Sequence, residues 1–189
     1  MGDLFIGVDA GTTRVKALAV DPTGTVVAEA ALPTPWQRSG AEAELDALEL
    51  MDVVAGVLTH IAESDAWPRG AQARGIGVTS MAEAGVLIGP KGDPVAPTIA
   101  FHDPRGSADQ VRRAVSVEDF HGHVGMRLNN KPSVSKILWM QEHIAGAKSA
   151  ECYLSVAEWI VHRLGGERVS EKSLVSRTGL FDVVDEVPW

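Results

Sequence analysis

The chain has 189 residues, 45% apolar and 22% charged, with 25 acidic against 17 basic side chains and a net charge of -8. That length supports a sizeable core in one domain, and the composition is that of a soluble globular protein with no basic cluster to hold nucleic acid. Cys152 is the single cysteine, so no intrachain disulfide forms, and no basic-then-apolar leader opens the chain, which together point to the cytoplasm.

Residues 4–8 form an apolar run that ends at Asp9. Gly11, Thr12 and Thr13 make a tight turn, and a second apolar run fills 15–20. With the turn Asp21-Pro22-Thr23-Gly24 and a third run over 26–32, this predicts an antiparallel meander of strands. Gly11 is expected to supply the backbone angles of the first turn. That turn would gather N–H groups and threonine hydroxyls at one spot beside Asp9. Such a concave donor set suits phosphate oxygens, and the carboxylate suits the waters of a bound Mg2+. The same spacing also fits an ordinary hairpin with a solvated aspartate at its mouth.

A helix follows. Asp46 with Glu49 reads as a capping box, and Leu45, Leu48, Met51, Val54, Leu58 and Ile61 make one buried stripe. Glu49, Asp52 and His60 interrupt this most apolar helical stretch, so no membrane span is expected. Residues 74–79 read as a buried central strand leading into Ser80-Met81-Ala82-Glu83. Gly75 and Gly77 make no dinucleotide fingerprint, because the remaining glycine and the helix are missing. Residues 85–88 and 95–101, around Gly89-Pro90-Lys91-Gly92, read as a hairpin that delivers Phe101-His102-Asp103-Pro104-Arg105. Helices are predicted at 107–114, 116–124 and 133–144, then a strand at 152–154. A last helix is capped by Ser155 and stopped by Gly165-Gly166. His121-Gly122-His123 lacks partners at metal-ligand spacing. The order is that of a mixed α/β layout, a parallel sheet with an antiparallel meander at one edge.

This order and its opening stretch resemble one half of the actin-like, ribonuclease-H-like ATPase fold. Within that group the chain looks like the N-terminal domain of the FGGY carbohydrate kinases, over nearly its whole length. Gly7-Val8-Asp9-Ala10-Gly11-Thr12-Thr13 with Lys16 is similar to the family's first phosphate motif. Ile76-Gly77-Val78-Thr79-Ser80-Met81-Ala82-Glu83 is similar to its sugar-contacting strand and loop, and residues 101–105 stand where it carries Trp-x-Asp-x-Arg. Ser135-Lys136-Ile137-Leu138-Trp139 and Ser176-Arg177-Thr178-Gly179-Leu180-Phe181-Asp182 match two further stretches, in the family's order.

The resemblance implies an α/β, ribonuclease-H-like (actin/hexokinase-type) domain, residues 1–189, with a mixed five-stranded sheet flanked by helices. It implies that Gly11, Thr12, Thr13 and Lys16 meet the phosphates of ATP and that Asp9 holds Mg2+ through water. Arg14 shares the strand face of Lys16, and which of the two faces the phosphates stays open. Met81, Glu83 and Asp103 would contact a sugar or polyol. The alternative for Met81 is a core position, for Glu83 a solvated loop acid, and for Asp103 a structural turn paired with Arg105. Lys136 is assigned no catalytic role.

Two departures qualify the match. The family loop often reads Gly-Gln-Met-His, whereas Glu83 is nearer the glycerol kinase pattern, yet Ala82 stands where those enzymes have arginine. The family's catalytic base is an Asp in a Gly-Asp-Asn or Gly-Asp-Gln segment, and neither segment occurs in this sequence. The expectation is therefore a first domain with no base of its own. It would work with a C-terminal kinase domain and expose a cleft face that also suits a homodimer. The other class left open is a non-catalytic sugar- or partner-binding module on the same scaffold.

Overall fold

The computed structural model describes residues 2–189. Strict alternation builds its main sheet. In β1 (Asp3–Ala10), Leu4, Ile6, Val8 and Ala10 are buried while Phe5 is 46% exposed. In β2 (Arg14–Val20), Val15, Ala17 and Ala19 are buried and Leu18 is 41% exposed. β3 (Val26–Pro33) pairs antiparallel with β2 and completes the predicted meander. A short hairpin, β4 (Gln37–Ser39) and β5 (Glu42–Leu45), then turns at Gly40, whose φ is 60°. Its first strand is fully exposed, which is why the sequence pattern reads there as a loop.

In α1 (Ala47–Ala62) the Asp46 carboxylate accepts the Leu48 N–H at 2.7 Å, and Glu49 returns no bond, so only half of the predicted capping box forms. The buried stripe is Ala47, Leu50, Val54, Val57 and Ile61, with Leu48 44% exposed. Both this stripe and the predicted one satisfy helical spacing. Packing against the sheet makes the choice, with Leu50, Val54, Val57 and Ile61 in its core, and the Ala47 carbonyl accepts Trp159 Nε1 at 3.1 Å.

β6 (Gln72–Ser80) runs parallel to β1, with Gly77 opposite Gly7, Thr79 opposite Asp9 and Ser80 opposite Ala10. The sheet order is β3-β2-β1-β6. The sheet is mixed, as expected, but has four strands rather than five, and β6 is a largely exposed edge strand rather than a buried central one. The later strand pairs elsewhere. β7 (Gly85–Ile88) turns at Gly92, and the chain leaves it before β8 (Thr98–Ile99), which pairs with β5. The predicted hairpin begins, with Ile88 bridged to Pro94 and the Val95 N–H donating to the Leu87 carbonyl at 3.0 Å, but goes little further, since Pro97 has no N–H to extend the ladder.

Three helices follow, α2 (Ala108–Ala114), α3 (Val117–Val124) and α4 (Ser133–His143). β9 (Cys152–Ser155) pairs antiparallel with β7. α5 (Val156–Arg163) is capped by Ser155, as expected, and the cap is a complete capping box with Glu158. α6 (Lys172–Val175) and the small hairpin β10 (Phe181–Asp182) and β11 (Val187–Pro188) close the chain.

The core lies between one face of the sheet and the pair α1 and α5, with Ile6, Val8, Val15, Leu50, Val54, Ile61, Val156 and Ile160 packed together. The opposite face, bearing Phe5 and Leu18, is open, so helices cover the sheet on one side instead of flanking it. Among the described residues, no helix is long and apolar enough to cross a membrane.

Candidate functional site

The parallel pairing of β1 and β6 brings two loops together at the strands' C-terminal ends, where sites in α/β sheets form. The Met81 N–H donates to the Ala10 carbonyl at 3.0 Å and joins them directly.

The first loop is the turn at 11–13. Its carbonyls are all drawn backward: Thr34 Oγ1 donates to Gly11 O at 2.7 Å, Trp36 Nε1 to Thr12 O at 2.7 Å, and the Thr34 N–H to Thr13 O at 3.1 Å. The N–H groups and hydroxyls of Thr12 and Thr13 have no hydrogen-bond partner among the described residues. Gly11 does not adopt a left-handed φ. Its value is clearance, since a Cβ there would sit 3.1 Å from the Arg14 carbonyl oxygen. Thr34 and Trp36 shape the turn, and the only trace of this in the sequence is a tryptophan in a proline-rich loop.

Beside the turn, a cavity of about 430 Å³ is lined by Gly7, Asp9, Lys16, Leu18, Gly77 and Thr79. Asp9 is exposed and has no ion-pair or hydrogen-bond partner among the described residues. Lys16 is its cross-strand neighbour and lines the cavity. Arg14 instead donates from Nη2 to the Ala31 carbonyl at 3.1 Å, over β3. Of the two cations, only Lys16 lines this cavity. Among the described residues, no group of three His, Cys, Asp or Glu side chains could hold a metal. A lone, unpartnered carboxylate suits a Mg2+ that arrives on phosphates and keeps its waters, rather than a resident ion.

The second loop carries Glu83, with φ of 58° and a side chain 11% exposed. Arg177 donates to its Oε1 from Nε at 2.9 Å and also from Nη2. Met81, by contrast, is 8% exposed and packs in the core with Ile6 and Val8, so it presents no face to a ligand.

Asp103 is also corrected. Its side chain is fully buried. Oδ2 accepts the Ala43 N–H and Arg105 Nη2, each at 2.7 Å. Oδ1 accepts the Arg105 N–H at 2.8 Å and Nε at 3.0 Å. Lys136, 2% exposed, donates from Nζ to the carbonyls of Asp103 and Arg105 at 2.5 Å each. Arg105 reaches Glu44 at 2.9 Å and lies over the Trp139 ring at 5.2 Å. Burial opposes ionisation of Asp103, but the bonds from Arg105 and Ala43 outweigh it and hold the carboxyl below its usual range. Bonding to Asp103 holds the Arg105 guanidinium protonated more firmly still. Burial pulls Lys136 down to about 8, against the attraction of Asp103. This is a closed structural knot, and Asp103 is part of it.

Residues 4–187 match the N-terminal domain of the FGGY family of carbohydrate kinases. The chain belongs to that family. It is 24% identical over 193 residues to the L-fuculokinase of Escherichia coli, covering 96% of this chain and 39% of that protein. It is 30% identical over 184 residues to the xylulose kinase of Streptomyces coelicolor, covering 94% and 37%. The solved xylulose kinase of Rhodospirillum rubrum superposes with a TM-score of 0.86 at 28% identity, over 96% of this chain and 38% of that one. A Plasmodium falciparum glycerol kinase with ADP shares the fold at a TM-score of 0.89 and 19% identity, over 100% and 39%. The chain thus spans about two fifths of the length of the relatives it matches.

Proposed function

We propose that this chain is the substrate-side domain of an ATP-dependent carbohydrate or polyol kinase of the cytoplasm, completed by a C-terminal kinase domain. The observation that supports it best is the turn at 11–13, with its carbonyls tied back, the Gly11 N–H given to the Arg14 carbonyl at 3.1 Å and the Thr12 and Thr13 donors free, next to an unpartnered Asp9 and the Glu83 loop. Phosphoryl transfer is mostly positioning and charge neutralisation. The Thr12 and Thr13 donors and Lys16 would meet the β- and γ-phosphates, and Asp9 would hold a water of the accompanying Mg2+. Glu83 Oε2 would accept a hydrogen bond from a substrate hydroxyl. In the reaction the attacking hydroxyl oxygen bonds the γ-phosphorus, the bond to the bridging oxygen breaks, ADP leaves, and the hydroxyl proton goes to a base. The base is expected outside these residues, since they contain no Gly-Asp-Asn or Gly-Asp-Gln segment.

The test is ADP release from MgATP by the intact protein with glycerol, xylulose, gluconate or fuculose, before and after Glu83→Ala. The substitution should raise the KM of the accepted substrate about tenfold or more and leave the ATP KM within about twofold, as loss of a charge-assisted hydrogen bond to one ligand does. Equal effects on both would remove Glu83 from the sugar site. The 189-residue chain alone should show negligible turnover. Sugar-dependent ADP release from it at ordinary kinase rates, about 1–100 per second, would overturn the division of labour between domains.

A further inference from the structure

We infer that Arg177 is the positioning residue of the substrate site, holding Glu83 by one oxygen so that the other is aimed at a substrate hydroxyl. The inference rests on the kinase reading above and adds a residue to it. Glu83 and Arg177 are 94 residues apart in the chain. Glu83 sits on a short loop with a left-handed φ, unusual for a residue with a side chain,. Its backbone neighbours are fixed, since Met81 N–H bonds Ala10 O at 3.0 Å and Val156 N–H bonds Ala84 O at 3.3 Å.

The carboxylate itself receives both Arg177 donors on Oε1. Oε2 has no partner among the described residues. An arginine bridging a carboxylate for stability alone commonly forks over both oxygens. A fork that converges on one oxygen leaves the second with its acceptor capacity intact, and it also restricts rotation of the carboxylate plane. That arrangement suits recognition of a hydroxyl, which needs an acceptor in a set direction.

Arg177 is itself held in place. The Thr178 carbonyl accepts the Val134 N–H at 2.7 Å, and Thr178 Oγ1 donates to Val175 O at 2.6 Å. Gly179 has φ of 79°, and a Cβ there would lie 2.7 Å from a Val134 methyl and 3.3 Å from the Phe120 ring. The segment 176–179 is thus anchored on α3 and α4 through Thr178 and Gly179, and the arginine it presents is the group that meets Glu83. The Arg177 side chain is 45% exposed, so it contributes little as a surface ion pair,. Its consequence lies in where it puts the carboxylate.

The experiment compares the intact kinase with Arg177→Ala, Arg177→Lys, Glu83→Gln and the double variant Glu83→Gln/Arg177→Ala, using glycerol and xylulose as probes. Arg177→Ala should raise the KM of the accepted probe about tenfold, with ATP KM unchanged. Arg177→Lys should recover part of the loss, because one ammonium reaches the oxygen without the planar fork. The double variant should be no worse than Glu83→Gln alone, because Arg177 acts through Glu83. An Arg177→Ala enzyme that binds the probe as well as or better than the parent, or losses that add in the double variant, would overturn the inference. If the parent accepts neither probe, the kinase reading is what fails for them. The positioning claim is then judged by amide hydrogen exchange of the loop 81–84 in the 189-residue chain. Faster exchange in Arg177→Ala sustains it, and unchanged exchange overturns it.

Discussion

The turn at 11–13 and the segment at 101–105 are built from similar material, small and polar residues placed where strands end, and the structure uses them in opposite ways. In the turn, Thr34 and Trp36 take the carbonyls and leave the donors of Thr12 and Thr13 unused. In the segment, Arg105 and Ala43 take both carboxylate oxygens of Asp103, and Lys136 takes the carbonyls of Asp103 and Arg105. A group can recognise a ligand only with hydrogen-bonding capacity that the fold has not already filled. By that measure Thr12, Thr13, Asp9 and Glu83 are available, and Asp103 is structural.

The contrast can be broken most forcefully at Asp103. Asp103→Ala leaves Arg105 half-buried without its main partner, and should destabilise the fold by about 3–5 kcal/mol in denaturant unfolding. A loss below about 1 kcal/mol would mean that the knot does not hold the segment.

Lys136 gives the pH dependence. Burial lowers its pKa to about 8 from 10.5, so between those values the unfolded chain binds more protons than the folded one. Stability contributed by this group therefore rises as pH increases through that window. The neutral amine still has two N–H donors for the two carbonyls it meets,. Unfolding of the parent and Lys136→Met should thus diverge in the parent's favour from about pH 8 to 10.5. A difference that stays flat or shrinks would contradict the burial argument.

The smallest effect sharpens the open half of the comparison. Lys16→Ala should raise the ATP KM of the intact kinase about tenfold, and Arg14→Ala should change it less than twofold. Similar effects from both would mean that the bond from Arg14 to Ala31 does not hold it away from the site.

Local patterns were the legible part of this molecule. β1 and β2 are written as apolar runs that hold Leu4, Ile6, Val8, Val15 and Ala17, and Ser155 is read as the cap of the helix it opens. What escaped depends on distant partners. The run 72–80 has the composition of a central strand, but composition does not say that it gains a neighbour on one side only. Two stripes on α1 satisfy helical spacing, and packing against the sheet selects between them. At the candidate site, the turn of Gly11, Thr12 and Thr13 beside Asp9 was legible as a pattern, while Lys16 and Glu83 entered through the resemblance. The burial of Asp103 under Lys136 and the pairing of Glu83 with Arg177 span 33 and 94 residues, and no local spacing encodes them.

The most direct measurement of the central claim is a titration of the isotope-labelled chain with MgATP, followed by backbone amide shifts. The amides of Gly11, Thr12 and Thr13 should move together with that of Lys16, while those of Asp103 and Arg105 stay still. Movement at 101–105 with the turn at 11–13 unchanged would contradict the account, because it would put the ligand on the knot and leave the free donors unused.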